Sequence, residues 1–138
     1  MAIALMVSGW ASLVYSRHFN LLLPHFLSVK ILGIFFFLMG ITIRLLAFKE
    51  MNNPYKIDRL VTSGVYSKTR NPVYLAYICI IIAVAFLTMR LLSFAWVFGS
   101  ILVFYWVAKK EEDDLEKIFG EEYVIYKQTV PLFLPKVS

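Results

Sequence analysis

Apolar residues run along this chain in blocks long enough to cross a bilayer, and polar residues gather in the gaps between them. A hydrocarbon core of roughly 30 Å takes about 20 apolar helical residues to span. Residues 26 to 48, FLSVKILGIFFFLMGITIRLLAF, meet that length, with Lys30 and Arg44 near the two ends where long side chains snorkel. Gly33 and Gly40, seven apart, suit close helix packing. A further block begins at Pro72 and runs to Met89. The next, LLSFAWVFGSILVFYWVA, follows after Arg90 alone and ends at Ala108. So short a connection predicts an antiparallel helical hairpin. Residues 1 to 16 are apolar but marginal in length, and SRHFNLLLPHF then breaks the run. With no basic segment ahead of it, this start reads as a first membrane helix, not as a cleaved signal. The pattern predicts an all-α integral membrane protein in one domain over residues 1–138. It has about four transmembrane helices, a helical hairpin and a helical C-terminal tail.

Two polar stretches remain: LVTSGVYSKTRNPVYLAY, residues 60 to 77, and KKEEDDLEKIFGEEYVIYKQTVPLFLP, residues 109 to 135. Lys49, Lys56, Arg59, Lys68 and Arg70 fall between the second and third spans, and Lys109, Lys110, Lys117, Lys127 and Lys136 fall in the tail. Only Arg90 marks the hairpin turn. An excess of lysine and arginine marks the cytoplasmic side, so both polar stretches and both termini are expected there. Composition agrees with the membrane reading: 60% of residues are hydrophobic and only 17% charged, more apolar surface than a small water-soluble body hides. The net charge of +5 is then a matter of topology. It is not set out as the basic, aromatic-interleaved surface that nucleic acid requires. Cys79 is alone and mid-span, and His18 and His25 have no partners at metal-ligand spacing, so no metal site is expected.

Taken alone, the first stretch reads as an interfacial arginine with an aromatic belt, or else as a place where an anion is held. Asn71 is a good helix cap, Pro72 is suited to the first helical position, and Arg70 adds a fixed charge beside that positive helix end. Tyr74, Tyr77 and Ile81 follow on one stripe. In the second stretch, the fourth span can be continued as a helix at 100° per residue. Phe104, Ala108, Leu115, Ile118 and Phe119 then share an arc of about 100°, with Glu111 in its middle and Glu112 on its edge. A carboxylate on an apolar face is costly unless paired, so Glu111 predicts a partner, either Arg70 or a cationic ligand. Asp113 and Asp114 fall outside the arc, where Lys110–Asp114 and Asp113–Lys117 make ordinary helix pairs. Gly120 marks the helix end, and Tyr123 and Tyr126 lie on one side of a short helix beyond it.

The Leu-Val-Thr-Ser-Gly-Val-Tyr and Arg-Asn-Pro-Val-Tyr segments, a hairpin, then Glu-Glu, Phe-Gly-Glu-Glu-Tyr and the closing prolines resemble one known family. It comprises the isoprenylcysteine carboxyl methyltransferases, the membrane phospholipid methyltransferases and short microbial relatives. The likeness covers roughly residues 58–135, behind N-terminal spans in 1–48. It implies a membrane enzyme using S-adenosylmethionine, bound where the first motif meets the tail. It implies cofactor contacts from Leu60, Val61, Tyr66, Asn71, Pro72, Val73, Tyr74, Glu111, Glu112 and Phe133, with Arg70, Tyr74 and Glu111 in the catalytic centre. Asn71 stands where the family has histidine, Ala76 where it has glycine, and Thr129 where the eukaryotic enzymes carry an arginine that reads the substrate carboxylate.

The expected reaction is in-line methyl transfer to a lipophilic small-molecule or lipidated acceptor reaching the cytosolic face from the bilayer. A carboxylate acceptor is ionised at neutral pH and needs no base. A lipid amine must lose a proton, and neither motif holds a histidine to take it. A carboxylate or thiol is therefore the expected acceptor. The alternatives are phospholipid N-methylation and an NADPH-dependent reductase of the sterol reductase type.

Overall fold

A computed structural model describes residues 27–52 and 59–134. The expected first span, residues 1 to 16, lies outside them. Four α-helices follow in order: α1 Leu27–Met51, α2 Pro72–Thr88, α3 Leu91–Phe119 and α4 Glu121–Thr129, with a 3-10 turn at Gly64–Ser67 before α2. Among the described residues every regular element is helical, as the apolar pattern predicts. Helices α1 and α3, 25 and 29 residues, are long and apolar enough to cross a membrane, while α2 is a shorter apolar helix. Large side chains on the outer faces, such as Phe35, Leu38, Phe98, Leu102 and Trp106, are exposed, as suits surfaces that face lipid.

Small residues set the packing of α1 on α2. Gly33, Gly40 and Ala47 are its buried positions, one every seven residues. A Cβ on Gly33 would lie 3.1 Å from the Ala83 carbonyl oxygen, and one on Gly40 would lie 2.9 Å from that of Ala76. The two contacts run in opposite order along the chain, so the helices are antiparallel and nearly touch backbone to backbone.

The hairpin between α2 and α3 closes without a loop because Met89 takes the left-handed conformation, φ 50°, and its N–H caps α2 by donating to the Ala85 carbonyl at 2.9 Å. Phe86 meets Phe94 edge to face next to the turn, and Tyr74 and Tyr77 both stack on Phe104 further along. Helix α3 does not stop where its apolar sequence stops. It runs unbroken into the charged segment for about 44 Å at 1.5 Å per residue, and Gly120, at φ 56°, ends it. The last turns of α3 therefore stand beside the start of α2, and the two polar stretches meet at one end of the bundle.

Gly40→Val is expected to lower stability by about 1 to 3 kcal/mol, because the added methyl groups have no room between α1 and α2. Gly99→Ala, where an added Cβ meets nothing within 4 Å, is expected to change it little. Unfolding titrations in mixed detergent micelles check the pair.

Candidate functional site

The connection into α2 is folded by short local bonds. Gly64 adopts φ 60° and passes so close to Glu50 that a side chain there would collide with the carboxylate. Ser63 donates its hydroxyl to Glu50 Oε2 at 2.9 Å, and the Tyr66 N–H donates to the Ser63 carbonyl at 3.1 Å. This ties the 3-10 turn to the end of α1. The chain then meets its own C-terminal segment. The N–H groups of Arg70 and Asn71 donate to the carbonyls of Pro131 and Leu132 at 2.9 and 3.2 Å, and the Thr69 hydroxyl donates to Leu132 at 2.9 Å. Tyr126, on α4, donates its hydroxyl to the Tyr66 carbonyl at 2.6 Å.

Arg70 binds these parts together. One guanidinium nitrogen stands 2.7 Å from Glu112 Oε1, with both side chains buried, and the other donates to the Lys127 carbonyl on α4. Lys109 reaches the second Glu112 oxygen at 3.0 Å. The helical projection is corrected here. Glu112, placed on the edge of the apolar arc, is the buried acid at 1% exposure and the partner of Arg70. Glu111, placed in the middle, is exposed and accepts a hydrogen bond from the Tyr74 hydroxyl at 2.5 Å. The buried stripe of α3 runs Phe104, Ala108, Glu112, every fourth residue. Leu115, Ile118 and Phe119 are apolar for another reason: they line a cavity. Two faces with different duties had merged into one arc. Asp114 pairs with Lys117 at 2.9 Å, in place of the expected Lys110–Asp114 and Asp113–Lys117 pairs.

The cavity, of about 540 Å³, is enclosed by both polar stretches. Of the expected residues, Leu60, Val61, Tyr66, Arg70, Asn71, Pro72, Val73, Tyr74 and Glu111 line it. Glu112 and Phe133 do not. Glu112 is turned to Arg70. Phe133 packs with Leu132 against Tyr74, Ile78, Phe104 and Ala108, because the backbone pairing at Pro131 and Leu132 carries the tail to that core cluster. Asn71 occupies the N-cap position of α2, but its side chain makes no capping bond. Its ψ of 63° is not the extended value that capping uses, and its N–H is tied to Leu132. The sequence reading missed Met51, Arg59, Asp114, Leu115, Ile118, Phe119, Tyr123 and Tyr126 as wall residues. The tyrosine pair on α4 was the available signal.

The phenols of the wall outside the spans are neutral donors at physiological pH. Burial, reinforced by the Glu112 charge and opposed by Arg70, pushes Tyr123 up to about 12. Burial also raises Tyr126 and Tyr66; for Tyr66 the Arg44 charge opposes it and Glu111 and Glu50 add to it. Among the described residues no group of histidine, cysteine or acidic side chains is placed to hold a metal ion. The cavity thus offers aromatic and aliphatic walls, a carboxylate at Glu111 and arginines on the facing loop.

Because Glu112 neutralises a buried arginine, Glu112→Ala is expected to destabilise the fold by about 3 to 5 kcal/mol, the usual consequence of stranding one charge of a buried pair. Glu111→Gln, at an exposed position, is expected to leave the melting temperature within a degree or two. Thermal unfolding of the two variants in detergent separates the neighbouring acids.

The sequence profile described as phospholipid methyltransferase matches residues 28–122. Methanethiol S-methyltransferase 1 of Bradyrhizobium diazoefficiens is 39% identical over 77 residues, which cover 56% of this chain but only 26% of that protein. The matched part is thus about a quarter of that relative's length. The profile takes in α1, α2, α3 and the first residues of α4, and so nearly every wall of the cavity. The chain belongs to the phospholipid methyltransferase family.

Proposed function

We propose that this protein transfers a methyl group from S-adenosylmethionine to a thiol or similarly anionic acceptor of lipophilic character. The observation that carries the reading is the division of the two glutamates: Glu112 is paired with Arg70, while Glu111 lies on the wall of an aromatic cavity. A volume of about 540 Å³ lies in the range of small-molecule and cofactor sites. The residues fit this cofactor. Glu111, steadied by Tyr74, and the rings of Tyr66, Tyr123, Tyr126 and Phe119 suit a cation and a flat base. An arginine on the facing loop suits a carboxylate.

Bound there, S-adenosylmethionine supplies a methyl group activated by positive sulfur. The chain's own part is to hold, to aim and to keep water out. Leu60, Val61, Leu115 and Ile118 give apolar walls, and orientation within such a site removes a large part of a bimolecular barrier. Neutral phenols and the absence of histidine from the described wall leave carboxylates as its only proton acceptors. A carboxylate or a partly ionised thiol asks little of them, whereas a phospholipid amine must first shed a proton. The thiol in the name of the bacterial relative agrees with this choice. The family description keeps phospholipid N-methylation as the second reading, with Glu111 or Asp114 receiving the proton.

Lys109, Lys110, Lys117 and Lys127 stand at the same end of the bundle as the cavity, and by the positive-inside rule this supports a site on the cytosolic side. Exposed apolar faces on α1 and α3 lead toward Met51 and Ile118 at the cavity, and a lipophilic acceptor would follow them in.

Purified protein is expected to bind S-adenosylmethionine and not NADPH in equilibrium dialysis. Glu111→Gln is expected to weaken that binding by about 10- to 100-fold, the loss of one charge-assisted contact of roughly 1.5 to 3 kcal/mol. NADPH binding without S-adenosylmethionine binding would sink the proposal.

A further inference from the structure

The charges around the cavity do not all remain available to a ligand. Arg70 lines the cavity, but its two terminal nitrogens are taken by Glu112 and the Lys127 carbonyl. Lys109 is turned to Glu112, Lys127 to Glu116 and Lys117 to Asp114. Arg59 differs from all of these. It lines the cavity from the loop before Leu60 and Val61, it is exposed, and among the described residues no carboxylate stands within ion-pair distance of it. The segment behind it is anchored, since Ser63 is bonded to Glu50 and Tyr66 to Ser63. Among the described residues its guanidinium therefore has no ion-pair partner, and it offers a five-donor fork from the loop side of the cavity, while Glu111 comes from α3.

We infer that Arg59, and not Arg70, holds the carboxylate of the amino-acid portion of S-adenosylmethionine; this rests on the reading of the cavity given above. A carboxylate entering a largely apolar cavity loses water and needs a matched cation. The planar fork of arginine meets both of its oxygens at once. Arg70 is less suited to that role, because turning its guanidinium to a ligand would take it from Glu112 and leave that buried acid to Lys109 alone. With Arg59 on the loop and Glu111 on α3, the cavity presents one positive and one negative pole, the arrangement that a zwitterion with an adjoining sulfonium requires. Arg59 is a cofactor-binding residue, and Arg70 is a positioning residue that holds α2, α3 and α4 in register around it.

The test compares S-adenosylmethionine with its decarboxylated analogue, which keeps the sulfonium, the amine and the adenosine. Both are titrated into wild-type protein and into Arg59→Gln and Arg59→Lys. Wild type is expected to prefer S-adenosylmethionine. Arg59→Gln is expected to lose at least 10-fold in affinity for it, with its affinity for the analogue unchanged within twofold, so the preference disappears. Arg59→Lys is expected to keep part of the preference. If Arg59→Gln weakens both ligands equally, or neither, the assignment is overturned. It is equally overturned if only the binding of a probe acceptor such as decanoate is lost, since Arg59 would then serve the acceptor. Failure of wild type to bind either sulfonium compound would instead overturn the cofactor reading itself.

Discussion

A buried guanidinium next to a buried carboxylate is the interaction on which this end of the molecule depends. Arg70 and Glu112 are 7% and 1% exposed in their side chains and 2.7 Å apart. Neither charge is tolerable there alone. Together, with Lys109 on the far oxygen and the Lys127 carbonyl on the far nitrogen, they join the start of α2 to α3 and α4. The backbone continues the same clamp, since the N–H groups of Arg70 and Asn71 are bonded to the tail. The loop into α2, α3 and α4 thereby line one cavity, whereas small apolar residues set the packing of α1 on α2.

The clamp also explains why two adjacent glutamates do different work. Consecutive helical residues point about 100° apart, so a single helix can bury one acid and present the next. Glu112 continues the line of Phe104 and Ala108 into the fold; Glu111 is turned to the cavity and steadied by Tyr74. Exchanging their roles would bury a carboxylate away from Arg70. Both Arg70 and Arg59 line the cavity, but of the two only Arg70 is ion-paired among the described residues.

Much of this was legible in the sequence because its physics is local. Apolar run length marked α1 and α3, the single-residue gap at Arg90 marked the hairpin, and Gly33 with Gly40 marked the close helix pair. Gly120 marked the end of α3, and the Leu60 to Tyr74 segment marked about half of the cavity wall. What was not legible depends on contacts made at a distance. An apolar side chain at Leu115 or Ile118 looks the same whether it faces a core or a cavity, and this misplaced the phase of Glu111 and Glu112. Asn71 has the right side chain for a cap, but the tail fixes its backbone otherwise. Phe133 follows the strap to the core cluster, and no sequence pattern shows where a strap will cross. Arg59 sat in a basic loop and gave no local sign that it would face the cavity with no described acid beside it.

In the proposed reaction this constellation moves a methyl group from positive sulfur to an acceptor that needs no strong base. The most direct measurement follows the label when purified protein receives methyl-labelled S-adenosylmethionine with decanethiol in one reaction and phosphatidylethanolamine vesicles in another. Labelled methyl decyl sulfide is expected, formed faster as pH rises toward the thiol's ionisation, with little label in phospholipid. Label confined to the phospholipid amine, or absent from both products despite bound cofactor, would contradict it.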